Sequence, residues 1–218
     1  MSHSPPHTKQ ELPTGGKAPH RRAVQEYFDV AAREYGQKSE QGAWGWLKNA
    51  EFDAVARQLG AINGLDVLEA GCGAGWYAKR LAGQRPRTYV ALDALYSMAA
   101  KARSAGVDTL VADSMALPFK AGFDVVLCAG ALEFMESPAL FFIEAAAALR
   151  PGGRAVILAP SKSVAGGIYR WWHRRHGFEI HLFSQEDIGA MAQGAGLRLA
   201  SVSSAGLFNL AARLEKPA

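Results

Sequence analysis

The run Asp66-Val67-Leu68-Glu69-Ala70-Gly71-Cys72-Gly73-Ala74-Gly75-Trp76 constrains this chain more than any other segment. Apolar residues leading into a glycine-rich turn, with a helical pattern behind it, read as a buried strand passing directly into a helix. The glycines at 71, 73 and 75 let the backbone take positive φ and approach a ligand more closely than a Cβ allows. Open α/β sheets bind nucleotide-like ligands at such turns, at the carboxyl ends of their strands. The spacing also excludes two readings. A dinucleotide fingerprint needs its third glycine where this chain carries Trp76, and a P-loop needs Gly-Lys-Ser/Thr, which the turn lacks.

Beyond the turn the pattern alternates. Strands are expected near 65–70, 88–92, 108–112, 123–128 and 153–159, and helices near 75–83, 95–104 and 138–149. Strands alternating with helices imply βαβ units, right-handed crossovers and a mostly parallel sheet with helices on both faces. Leu149-Arg150-Pro151-Gly152-Gly153 reads as a helix stop followed by a tight turn into the fifth strand. A helix over Gln185 to Gly194 follows, with Ser184 as its N-cap. Apolar runs at 197–204 and 207–214 are expected to close the sheet as an antiparallel hairpin.

Ahead of the sheet, residues 1–21 are rich in Pro, His, Gly and Thr and are expected to form a flexible tail. Val24, Tyr27, Phe28, Ala31, Ala32 and Tyr35 then recur at helical spacing up to Gly36, and a second helix is expected over about 47–59. The whole of 22–214 is expected to be one domain. Within it, 22–60 would form a helical cap and 160–183 a substrate-covering insertion.

Four features fall at successive strand ends, where one crevice collects them. They are the glycine turn with Glu69 before it, Asp93 ending Thr88-Tyr89-Val90-Ala91-Leu92, Asp113 in Val111-Ala112-Asp113-Ser114-Met115, and Cys128-Ala129-Gly130-Ala131. An acid twenty residues after Gly73, on the next strand, is placed to accept both hydroxyls of a ribose. A carboxylate at 113 suits an exocyclic adenine amine. The small residues at 128–131 leave room for a ligand.

Val67 to Gly75, Ala91-Leu92-Asp93, Ala112 to Phe119, Phe123-Asp124-Val125-Val126 and Leu149 to Gly153 occur in this order and spacing. Together they resemble class I S-adenosylmethionine-dependent methyltransferases, nearest the small-molecule branch of ubiquinone/menaquinone-biosynthesis type. The resemblance implies a Rossmann-like fold, with the N-terminal helices as a lid, and S-adenosylmethionine as cofactor. It assigns Glu69, Ala70, Gly71 and Gly73 to the methionine end and Asp93 with Ala94 to the ribose. Asp113, Ser114 and Met115 fall to the adenine, and Ala129 and Gly130 lie near the sulfonium. Tyr27 and Tyr35 match the aromatic N-terminal helix that covers the cofactor in this branch. Trp76 departs from the family pattern, which has a smaller or polar residue there.

The methyl acceptor would be a small molecule, with oxygen or carbon preferred over nitrogen. No Asn/Asp-Pro-Pro-Tyr/Phe segment, the mark of the family's exocyclic-amine enzymes, follows the fourth strand. Candidates for a general base are His181, Tyr35 and Glu133. The rivals are a nucleic-acid methyltransferase, for which a net charge of +4 is a weak footprint, and a non-catalytic S-adenosylmethionine-binding regulator. With two cysteines, no apolar run of about 18 residues and no signal-peptide pattern, a cytoplasmic location without membrane spans is expected. The histidines at 3, 7 and 20 lack ligand spacing, so no metal is assigned. Arg170-Trp171-Trp172-His173-Arg174-Arg175-His176 is expected to be a lid segment whose tryptophans plug the core. Its cations and indoles leave open recognition of an acidic or aromatic substrate, or of an anionic membrane surface.

Overall fold

The computed structural model describes residues 18–34 and 42–218, with side chains at 22–30 and 45–218. Residues 1–17, most of the expected tail, and Tyr35 lie outside the described residues.

Two helices, α1 (Ala18–Glu34) and α2 (Gly42–Leu59), precede the sheet. Then follow β1 (Asp66–Ala70), α3 (Trp76–Leu81), β2 (Thr88–Asp93), α4 (Tyr96–Ser104), β3 (Thr109–Val111) and β4 (Phe123–Ala129). The chain continues through α5 (Pro138–Ala148), β5 (Leu149–Pro160), α6 (Val164–Arg174), α7 (Gln185–Gly194), β6 (Arg198–Ala205) and β7 (Asn209–Glu215). The seven strands lie in the order β3-β2-β1-β4-β5-β7-β6. β1 to β5 run parallel, and β7 pairs antiparallel with both β5 and β6. The fold is therefore the expected mostly parallel α/β sheet with a terminal antiparallel hairpin. Among the described residues no helix is long and apolar enough to cross a membrane.

The period of two along each strand sorts side chains onto the two faces. Val126 and Cys128 of β4, with Ala155, Ile157 and Ala159 of β5, pack toward Phe141, Phe142 and Ala145 of α5 and Ile188 of α7. Their neighbours Val125, Leu127, Val156 and Leu158 face Val55 and Leu59 of α2 and Tyr77 and Leu81 of α3. Burying both faces is what lets the central strands read as nearly continuous apolar runs. Local chemistry supports the helix starts. Pro138 opens α5, and Ser184 caps α7 in a reciprocal box with Asp187.

Two segments differ from expectation. β5 begins at Leu149, immediately after α5, because a register shift between Phe123 and Val125 absorbs residues 150–153, with Gly152 at φ +75°. The segment 160–183 carries α6, an eleven-residue helix where no helix was expected. Its tryptophans do not plug the core: Trp171 and Trp172 are both exposed.

Candidate functional site: a cleft at the carboxyl ends of the strands

The three glycines of the turn do different jobs. A Cβ at Gly71 would stand 2.3 Å from the Ala131 Cβ, and one at Gly75 would stand 2.8 Å from Val107 Cγ2. Both positions are therefore closed by the protein's own packing. Gly73 differs, with φ +53° and open space where a Cβ would be. That opening is the cleft, a cavity of about 220 Å³.

Asp93, 8 % exposed, organises the cleft. Its Oδ2 accepts the Gly73 amide at 2.8 Å and its Oδ1 accepts the Leu95 amide at 2.9 Å. One side chain thus ties the turn after β1 to the turn after β2. Burial raises its pKa, and the two amides only partly offset this. No ion pair to Asp93 or Glu69 exists among the described residues. Next along the wall, Asp113 Oδ1 accepts the Met115 amide at 2.9 Å, which closes the turn after β3.

The structure brings together Gly71, Gly73, Asp93, Ala94, Asp113, Ser114, Met115, Ala129 and Gly130 as cleft lining. Glu69 and Ala70 do not line it. β1 directs Glu69 to the α2/α3 face, where it is 1 % exposed beneath the turn and accepts the Tyr89 hydroxyl at 2.7 Å. Burial pushes its carboxyl up to about 8, with the nearby Asp93 charge acting in the same direction. Ala70 is fully buried in the core.

Tyr27 is also displaced from its expected place. The neighbouring Phe28, with Val24, lines the cleft. Tyr27 instead packs edge-on against Phe28, Trp172, His173, His176 and Phe178. α1 is held over the cleft by Ser97, whose hydroxyl donates to Asp29 at 2.5 Å, and by Phe28 against Phe134 at 5.0 Å between ring centroids. His181 is exposed and outside the cleft, and its backbone amide donates to the Glu133 carbonyl at 3.0 Å. Glu133 is buried beside Leu132, with one carboxyl oxygen lacking any hydrogen-bond partner, and burial pushes it up to about 7.

Sequence reasoning did not single out Lys48, Leu95, Met98, Phe134, Met135 or Glu136, which also line the cleft. Lys48 reaches Glu51 at 3.0 Å, and Glu51 in turn accepts the Asn209 amide at 2.7 Å, so α2 is fixed to β7 beside the cleft. Glu136 has a buried carboxyl oxygen without a hydrogen-bond partner. The signal for 134–136 was present, since they follow Ala129-Gly130 at the end of β4. Trp76, first residue of α3, lines the cleft with its indole N–H unpartnered and Arg80 stacked on it at 4.2 Å.

The pattern of the methyltransferase domain family matches residues 68–157, which span β1 to β5 and hold every turn of the cleft described above. Malonyl-[acyl-carrier protein] O-methyltransferase of Hahella chejuensis is 30 % identical over 142 residues, or 61 % of this chain and 50 % of that protein. The tRNA U34 carboxymethyltransferase of Pseudoalteromonas translucida is 28 % identical over 119 residues, or 51 % of this chain and 37 % of that protein. The chain thus spans half or less of the length of these curated relatives. In fold it is similar to magnesium protoporphyrin IX methyltransferase of Synechocystis, solved with bound S-adenosylhomocysteine. That likeness has a TM-score of 0.71 at 17 % identity and covers 90 % of this chain and 99 % of that one. Residues 68–157 thus carry the pattern of the methyltransferase domain, within a fold similar to that of methyltransferases solved with S-adenosylhomocysteine bound.

Proposed function

We propose that the cleft binds S-adenosylmethionine and that the protein transfers its methyl group to a small-molecule acceptor. The observation that carries this reading is Asp93. Each of its oxygens takes one backbone amide, which leaves acceptor capacity for the two hydroxyls of a ribose. The open space at Gly73 passes the same test of fit, because any side chain there would occupy the cleft. Among the described residues neither Glu69 nor Asp93 has an ion pair, which suits a positively charged ligand.

When bound, the donor supplies an electrophilic methyl carbon. The chain's own residues do the rest by positioning, which suffices for much of the acceleration of an in-line displacement. Asp93 and Ala94 hold the ribose. Asp113, Ser114 and Met115 hold the adenine, and Gly73 leaves room for the amino-acid end. Glu69 supports the turn from below through Tyr89. Val24 and Phe28 cover the site and exclude water.

The acceptor lies toward Lys48, Phe134, Met135 and Glu136, a wall mixing two apolar side chains with two charges. Glu136 is placed to take a proton from an acceptor hydroxyl or activated carbon. Glu136→Gln is expected to lower kcat about tenfold or more while donor affinity stays unchanged. An equal loss in both would assign Glu136 to the donor instead. Product formation from labelled donor across hydroxyl- and carbon-acid metabolites tests the reading as a whole. Donor binding without turnover on any acceptor would contradict it.

A further inference from the structure

We propose that α6 is a docking helix that seats the protein on an anionic lipid bilayer. The helix is amphipathic in the reverse sense to an ordinary surface helix. Its inner side is set by Gly166, Tyr169 and His173. A Cβ at Gly166 would stand 2.0 Å from the Ser161 carbonyl oxygen, Tyr169 stacks on Phe208 at 4.6 Å, and His173 is buried among rings. The Ser163 hydroxyl accepts the Gly166 amide at 3.0 Å and holds the first turn. So anchored, the helix cannot roll its other side inward.

That other side is apolar. Val164 is 85 % exposed, Ile168 63 % and Trp171 53 %, at i, i+4 and i+7, with Trp172 beside them at 41 %. Monomeric surfaces scatter single apolar residues, and a continuous stripe marks an interaction site. Leu207, also exposed, adjoins Phe208 on which the helix rests.

The charges name the occupant. From Lys162 to His176 the chain carries Lys162, Arg170, Arg174 and Arg175 and no carboxylate. Lys162 and Arg174 pair with Asp187 and Glu179. Arg170 and Arg175 have no ion pair among the described residues, and Arg175 lies over the Trp171 ring at 4.3 Å. Indoles and aliphatic side chains set among arginines suit the headgroup–acyl boundary of a bilayer rich in anionic lipid. Docking there brings the cleft close to the surface. His173 packs on Phe134, which lines the cleft, and Trp172 packs on Tyr27 of the covering helix.

The test is co-sedimentation of the full chain with vesicles of phosphatidylcholine alone and with one-quarter phosphatidylglycerol. Binding to the anionic vesicles is expected at least about tenfold tighter at low salt, with the difference collapsing near 0.5 M salt. The double substitution Ile168→Glu, Trp171→Glu should reduce binding at least about tenfold with the thermal melt unchanged, because both side chains point outward. Arg170→Gln with Arg175→Gln should remove the preference for anionic lipid. Failure of the unmodified protein to bind either vesicle, or equal binding to both, would overturn the proposal. So would binding that survives the double substitution, or a solution dimer that those substitutions break, since the stripe would then be a self-interface.

Discussion

The same sheet carries two clusters of acids, one at each end of its central strands, and the two behave oppositely. At the amino end Asp66 of β1 accepts Arg87 and Arg150, at 2.5 and 2.8 Å, and Arg150 also reaches Asp124 at 2.9 Å. Asp124 in turn accepts the Asp66 amide at 2.8 Å. The arginines hold Asp66 far below the usual carboxylate range, and hydrogen bonds from the Asp66 amide and Arg150 lower Asp124 against a burial effect that acts upward. At the carboxyl end Glu69 and Asp93 are raised, chiefly by burial, and among the described residues no arginine or lysine pairs with either. One end is neutralised from within the protein and is closed. The other is buried without such pairing, and Asp93 there opens on the cleft. Perturbed acids at an open cleft mark a candidate site, and this contrast supports the proposed one.

The largest break in this contrast should come from Gly73→Val. The substitution forces a β-branched residue to φ +53° and fills the open space of the cleft. Donor binding is expected to vanish in calorimetry while the amino-end network keeps the chain folded. Donor affinity within about tenfold of the unmodified protein would remove Gly73 from the site.

Glu69→Gln probes the floor beneath the turn. Below about pH 4.5 the Glu69 carboxyl is protonated in folded and unfolded chains alike. As pH rises from there to about 8, only the folded chain retains the proton, so stability falls across that window. Glu133, raised to about 7, acts in the same direction. The glutamine should cut the drop in Tm between pH 5 and pH 8 by about 5 °C or more. An unchanged drop would mean that Glu69 is ionised in the native protein.

The smallest effect belongs to the opposite end. Asp66→Asn should lower Tm by about 2–4 °C at neutral pH and leave donor affinity untouched. Because the native pKa of Asp66 is depressed, its contribution is present at neutral pH and is lost as pH falls below about 4. The asparagine variant should therefore show a flatter acid limb in a Tm-against-pH series. A change in donor affinity would show that the two ends are coupled.

Much of the fold was legible because β1 to β5 are buried on both faces and separated by glycine-bearing turns. The cleft wall from Gly71 to Gly130 was legible for a related reason, since its residues sit at strand ends whose position the alternation determines. Phase and packing were less legible. Tyr27 and Phe28 share one apolar stripe, and the packing of α1 turns Phe28 to the cleft and Tyr27 to α6. α6 was hidden by Gly166-Gly167, a pair that disfavours a helix, although Gly166 is required by its contact with Ser161. The tryptophans of α6 were expected inside because apolar residues usually are. The inward places were taken by Tyr169 and His173. Gly71 and Gly75 were read as approaching a ligand, whereas their neighbours are Ala131 and Val107.

The central claim is that the carboxyl-end acids serve an adenosyl ligand. Calorimetric titration of S-adenosylmethionine into the unmodified protein, Asp93→Ala and Asp66→Asn tests it most directly. Asp93→Ala should weaken binding by about 100-fold, as expected from losing charge-assisted hydrogen bonds to two hydroxyls, and Asp66→Asn should bind like the unmodified protein. Equal affinity across all three proteins would contradict the account.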